Sequence, residues 1–258
     1  AGFGIWSLVA QSVTATLLNT ALLWRFNSWR PQRIFSLTAL GELFSFGSRI
    51  LAANILDTIF NNLYAVVIGK LFRPADLGFY MRAFTLQQLP SETVGRIVGR
   101  VTFPLFAQIQ TETTRVRNGF RKAIRAISLV SFPLMIGLLV CARPLVLTLF
   151  TDKWSPAIPY LQLLSIVGLI YPLNMINQNV ILAVGHSDLY FRLEVVKKVL
   201  IVVSIAITWR WGIEALIGGQ IAAALVAYGL SSHYSGTTVG YGFRGQVRDL
   251  LPYLGAAC

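Results

Sequence analysis

The sequence predicts an all-α protein, a polytopic transmembrane helix bundle of about seven helices, and three observations carry that expectation. Hydrophobic residues make up 55% of the 258 residues and charged residues only 12%, against about 25% charged in a soluble chain. The mean hydropathy is +0.64. Seven windows of mostly apolar sequence follow one another with short breaks, each near the ~20 residues that cross a bilayer. Such a balance argues against a soluble cytosolic enzyme, because too little charge remains to coat a surface facing water.

The first segment, residues 4–24, carries no charge, and the second, 43–68, has Asp57 as its only internal acid. The third, 77–107, is long enough to span yet contains Arg82, Glu92, Arg96 and Arg100. The fourth covers 124–150. The fifth, 157–184, is uncharged but studded with Asn174, Asn177, Gln178 and Asn179. The sixth, 193–211, has a short uncharged stretch and requires Lys197 and Lys198 to snorkel their ammonium groups towards water. The seventh runs over 213–233, and the tail through Arg244 and Arg248 reads as a loop leading into a further helix. Pro90, Pro104, Pro133 and Pro172 fall inside these segments, where each deletes a backbone hydrogen bond and bends its helix. The chain opens at Ala1 with no charged n-region and no small-residue cleavage site, so a fragment without a signal peptide is expected.

Lys and Arg total 22 against 10 acidic residues, and their positions say what the excess is for. One set of loops collects Arg25, Arg30 and Arg33, then Arg115, Arg117, Arg121, Lys122 and Arg125, then Arg192, Lys197 and Lys198, and finally Arg244 and Arg248. The alternate loops hold Lys70, Arg73, Arg82, Arg143, Lys153 and Arg210. The positive-inside rule makes the richer set cytoplasmic. Topology thereby accounts for most of the charge, and nucleic acid is not an expected partner. Two cysteines, Cys141 and Cys258, and two histidines, His186 and His233, supply no disulfide framework or metal cluster. Neither a metal nor a cofactor is expected, and no long external loop offers a platform for catalysis. The chain is read as a non-enzyme.

Arg49, Arg96 and Arg100 are left over from the loops. A charge at a helix centre costs roughly 2.5 to 3.5 kcal/mol even on a lenient scale, so Arg96 and Arg100 need protein or water around them. At 100° per residue, Gln88, Glu92, Arg96 and Arg100 form one polar stripe. Asn54, Asp57, Thr58 and Asn61 form a second on the preceding segment, and Asn174, Asn177 and Gln178 a third on the fifth. Three inward polar faces imply a hydrated cavity. The alternative is that Glu92 and Arg96 pair at i, i+4 while the amides tie the bundle together by hydrogen bonds.

The stretch FGSRILAANILDTIFNNLYAVVIGKLFRPADLGFYMRA, followed by RIVGRVTFPLFAQIQ and LFTDKWSPAIPYLQLLSIVGLI, resembles the polysaccharide-export flippases of the multidrug/oligosaccharidyl-lipid/polysaccharide superfamily. More narrowly it is similar to the Wzx-type branch that includes the colanic acid and teichuronic acid exporters. The opening GFGIWSLVAQ is similar to that branch's sixth helix, and the FP-x-F-A and LG-x-Y elements are specific in combination. The resemblance implies a MATE-like fold, in which residues 1–28 are the last helix of an N-terminal lobe and 29–42 a cytoplasmic linker. Residues 43–233 would then be a six-helix C-terminal lobe and 234–258 a cytoplasmic loop and the start of a further helix, with five upstream helices missing. It further implies a lipid-linked, undecaprenyl-pyrophosphate oligosaccharide as substrate in the bacterial inner membrane.

Residues and resemblance together assign Arg96 and Arg100, with Arg49 as a third, to the pyrophosphate. Gln88, Asn54, Asn61, Asn174, Asn177 and Gln178 would line the cavity and bond sugar hydroxyls. Asp57 or Glu92 would hold a coupling proton or monovalent cation. Membrane lipids and polysaccharide assembly proteins are the remaining expected partners. A cation-coupled multidrug exporter and a non-transporting assembly subunit are the alternatives.

Overall fold

The computed structural model describes residues 4–27 and 36–257, and every regular element among them is helical. The chain divides into two compact units, Ala1–Glu42 and Leu43–Cys258. The first holds α1 (Gly4–Phe26), uncharged until Arg25 in its last turn. Arg30 and Arg33 of the expected linker lie outside the described residues.

The segment expected over 43–68 is two helices, α2 (Leu37–Asn61), which begins within the first unit, and α3 (Leu63–Leu71), broken at Asn62. The adjacent Asn61 and Asn62 are poor helix formers. α4 (Pro74–Gln108) starts on a proline, whose missing N–H costs nothing in a first turn, and carries Pro90 and Pro104 inside. The segment expected over 124–150 also divides, into α5 (Thr113–Val140) and α6 (Ala142–Leu149). Pro144 explains the break: its ring would clash with the carbonyl of Val140 in a continuous helix, but it is tolerated in the first turn of a new one. α7 (Ala157–Ala183) and α8 (Ser187–Thr208) follow, then α9 (Ile213–Val239) and α10 (Phe243–Ala257).

α9 thus continues past His233, where a loop was expected. Thr237 and Thr238 in the added turns are accommodated by donating to the Tyr234 carbonyl three and four residues back. The helix stops at Gly240, whose left-handed φ of +74° suits glycine. The chain then folds back so closely that a Cβ on Gly236 would lie 2.4 Å from the Cα of Gly242.

Among the described residues, four segments are long and apolar enough to cross a bilayer by length and composition: Leu43–Leu71, Thr113–Val140, Ala157–Ala183 and Ile213–Val239. Seven were expected. Of the other three, α4 carries Arg82, Glu92, Arg96 and Arg100, and α8 carries Arg192, Glu194, Lys197 and Lys198. α7 is the axis of the unit, packing along α4, α5 and α9. Leu161, Leu164, Ile176, Val180 and Ile181 are fully buried along its length, as befits a helix that is apolar nearly all round. Two glycines let α4 come close to it: a Cβ on Gly95 would meet Met175 Sδ at 2.9 Å, and one on Gly99 would meet Met175 Cε at 3.0 Å.

One core cluster lies around Phe120, Ile124, Ile176 and Leu250, and another around Ile68, Tyr80, Leu164 and Leu216. Beside the second, Arg82 of α4 sits over the rings of Phe150 and Trp154, 5.2 and 5.4 Å from their centroids. Phe79 meets Trp154 edge-on at 5.7 Å. Between the two aromatic residues, Thr151 holds a φ of +107°.

Candidate membrane cavity and its charged wall

A cavity of about 300 Å³ lies among α2, α3, α7, α8 and α9. Asp57 from α2, Tyr171, Asn174 and Gln178 from α7, and Glu194, Lys197 and Lys198 from α8 contribute to its wall. α8 can carry three charges here because they are spaced for mutual contact: positions 194, 197 and 198 are i, i+3 and i+4 on one face. Lys197 Nζ donates to Glu194 Oε1 at 3.0 Å, and Lys198 Nζ lies 3.4 Å from Glu194 Oε2. Lys198 also reaches across to α2, donating to Asp57 Oδ1 at 2.5 Å. Gln178 donates from α7 to Glu194. Glu194 is 4% exposed and Lys198 8%, whereas the Asp57 side chain is 48% exposed. The four charges cancel, which is how two lysines and a glutamate are tolerated at this depth.

Two amide oxygens in the wall, Asn174 Oδ1 and Gln220 Oε1, are buried without a hydrogen-bond partner. Buried polar atoms of this kind ordinarily have one, and both residues border the cavity. Tyr64, bonded to Ser204 at 3.2 Å, and Tyr190 also border it.

Of the residues expected at the site, Asp57, Asn174 and Gln178 come together on this wall. The α4 stripe runs alongside: Gln88 donates to Glu92, and Arg96 and Arg100 are exposed with no ion pair among the described residues. The Glu92–Arg96 pair of the alternative reading is absent among the described residues, and Glu92 accepts from the amide one turn earlier instead. Tyr171 joins the two surfaces, within electrostatic reach of Glu92 and Arg96 on one side and of Asp57 and Glu194 on the other. Arg49 and Asn54 are exposed on α2, away from the cavity wall, and the Asn61 side chain lies outside the described residues.

Asn177 points elsewhere. It lies 100° from Gln178 around α7 and is fully enclosed in a separate network. Its Nδ2 donates to Leu173 O and Gln246 Oε1, while its Oδ1 accepts from Ser235 Oγ at 2.5 Å and Gln246 Nε2 at 2.9 Å. Tyr228 completes the set by donating to Gln246 Oε1 at 2.9 Å.

Next to that network Asp249 of α10 is held by four bonds. It accepts from Arg121 Nε at 2.5 Å and Nη2 at 2.9 Å, from Arg125 Nη2 at 2.7 Å, and from Tyr241 OH at 2.7 Å. Hydrogen bonding by Arg121 above all, then by Arg125 and Tyr241, holds the Asp249 carboxyl well below the usual carboxylate range, against an opposing effect of burial.

Sequence reasoning missed Glu194, Lys197, Lys198, Gln220, Gln246 and Asp249 as partners. The E-x-x-K-K spacing of α8 carried a signal for the first three. Gln220 is a lone amide in an apolar helix and carried none.

A family described as polysaccharide biosynthesis protein matches residues 1–159. Teichuronic acid biosynthesis protein TuaB of Bacillus subtilis (strain 168) is 33% identical over 190 residues, covering 72% of this chain and 39% of its own length. Lipopolysaccharide biosynthesis protein WzxC of Escherichia coli (strain K12) is 28% identical over 254 residues, 96% of this chain and 48% of its own length. Succinoglycan biosynthesis transport protein ExoT of Rhizobium meliloti (strain 1021) is 30% identical over 165 residues, 64% of this chain and 33% of its own. The chain spans less than half the length of each of these relatives. No solved structure matches it. Its apolar spans make it an all-helical, multi-pass membrane protein.

Proposed function

We propose that this chain, which belongs to the polysaccharide biosynthesis protein family, forms part of a bacterial inner-membrane transporter that flips a lipid-linked oligosaccharide outward for polysaccharide export. The observation that carries this reading is the polar cavity among membrane helices. It is lined by four mutually neutralising charges and two amides with unpartnered oxygens, and Tyr171 on its wall is within electrostatic reach of Arg96 on α4, where Arg96 and Arg100 are exposed. A relative named as a succinoglycan biosynthesis transport protein supports the same reading.

In this mechanism Arg96 and Arg100 attract the pyrophosphate, for which a guanidinium offers a bidentate fork. Asn174, Gln178 and Gln220 take sugar hydroxyls, and the lipid tail stays in the bilayer. Asp57 or Glu92 carries the coupling proton or cation. The chain binds and moves its substrate without catalysing a covalent step. A cation-selective drug exporter would want a net acidic cavity, whereas this wall is neutral and its neighbouring stripe is basic.

The test is surface polysaccharide in a strain lacking its own flippase, with membrane abundance of the full-length protein as control. Arg96→Ala and Arg100→Ala are expected to abolish export at normal abundance, and Lys at either position to restore it in part. Normal export by both alanine variants would overturn the assignment of the arginines. Loss of both from the membrane would make them structural instead.

A further inference from the structure

A second basic surface lies where the start of α5 meets α10, well apart in sequence from the α4 stripe. Arg117, Arg121 and Arg125 recur every four residues and share one face of α5. Arg121 and Arg125 converge on Asp249, yet their side chains remain 49% and 42% exposed. Arg117 lies against the turn before α10, where a Cβ on Gly240 would touch its Cδ at 4.0 Å. Arg244 and Arg248, one turn apart on α10, are exposed. Two guanidiniums therefore use up the acceptor capacity of Asp249, three more are carried on the same two helices, and the surface keeps a net positive charge.

Its position indicates what answers that charge. Arg117, Arg121 and Arg125 occupy the first turns of α5, Thr113–Val140, one of the segments apolar enough to cross the bilayer. α10 presents Phe243 and Leu251, 45% and 60% exposed, beside the same arginines. Exposed apolar side chains next to a fixed cationic cluster at the end of a membrane span match a phospholipid, with acyl chain beside headgroup. A dissolved anion would have no use for Phe243 or Leu251.

We propose that the α5–α10 surface binds the headgroup of an anionic phospholipid. Asp249 acts as the positioning residue, holding Arg121 and Arg125 with their remaining N–H donors directed outward. Arg117, Arg244 and Arg248 supply further charge without any hydrogen bond or ion pair of their own among the described residues. The site is independent of what the protein transports.

Native mass spectrometry of the full-length protein in detergent, with phosphatidylglycerol or phosphatidylcholine added, tests this. The wild type is expected to retain phosphatidylglycerol preferentially. Each exposed arginine removed should weaken that retention about fivefold, so that the triple variant Arg117→Gln, Arg244→Gln, Arg248→Gln retains roughly a hundredth as much. These three hold no partner, so the variant should keep the wild-type melting temperature, and the matching triple Lys variant should retain the lipid. Undiminished retention by the Gln variant would overturn the proposal, as would equal retention of the two lipids by the wild type. Displacement of bound lipid by millimolar inorganic phosphate would also overturn it, since the ligand would then be a free anion.

Discussion

Lys197 and Lys198 on α8 and Arg96 and Arg100 on α4 are two cation pairs on helices that both pack against α7, and they meet opposite circumstances. The lysines are enclosed and fully committed, bonded to Glu194 and Asp57. The arginines are exposed and uncommitted, since the nearest acid on their helix is bonded to Gln88. An enclosed, neutralised charge chiefly holds helices together, and it serves a ligand only if a carboxylate yields. An exposed, unpaired charge adds little to the fold and remains available to an anion. Hydropathy treats the two pairs alike; burial and partnership separate them.

The largest test of that contrast is Lys198→Ala, which leaves Glu194 and Asp57 short of a partner. Breaking a buried pair typically costs 3–5 kcal/mol, and because Lys197 still serves Glu194 we expect about 3 kcal/mol here. The loss should appear as a lower unfolding temperature of the purified full-length protein. Lys198→Met combined with Asp57→Asn should recover much of it. A Lys198→Ala protein as stable as the wild type would abolish the distinction between the two pairs.

Asp249→Asn comes next, at about 2 kcal/mol for hydrogen bonds made to a charged group, with faster hydrogen exchange confined to α10. The sign with pH follows from the depressed carboxyl. Its stabilisation is fully present above the ordinary carboxylate range near pH 4 and is lost progressively as the solution is acidified below it. The wild type should therefore lose stability on the acid side more steeply than Asp249→Asn.

A cysteine at position 96 or 100 should react with a hydrophilic thiol reagent about tenfold faster than one at 198, because accessibility governs modification. Equal rates would mean that the α4 stripe is covered in the membrane. The smallest effect belongs to Arg96→Ala and Arg100→Ala, each expected to change stability by no more than about 0.5 kcal/mol even though export is expected to fail. The thermal shift that is large for lysine and negligible for arginine is the contrast in one measurement.

Helix identity was legible because apolar length is a long-range average that survives local error. Breaks were less so. Pro144 marks the α5–α6 division in hindsight, but a lone proline in an apolar run is equally common inside membrane helices. The polar stripes of α2, α4 and α7 were legible from angular spacing, and Asp57, Asn174 and Gln178 do share a wall. What spacing could not convey was direction. Asn177 and Gln178 are adjacent in sequence yet serve different networks, and only the positions of α8, α9 and α10 around α7 decide which. Hydropathy alone makes snorkelling the expectation for Lys197 and Lys198, since lysines near the end of an apolar segment reach back to water. The glutamate one turn earlier, and an aspartate 141 residues away, give them partners inside instead.

The corner at Thr151 has a mechanical consequence. A non-glycine residue at φ +107° costs about 1–3 kcal/mol, and it lies in sequence between Phe150 and Trp154, whose rings both meet Arg82. α4 is thereby pinned at Arg82, while farther along it bears on Met175, a flexible thioether seated against two glycines. Pro90 lies between these two contacts and interrupts the hydrogen-bond ladder of α4, which gives the helix a defined point of flexure. Arg100 lies about 15 Å from Pro90 along the helix, so a bend of roughly 8° there would carry it roughly 2 Å sideways, enough to make or break a hydrogen bond to a phosphate.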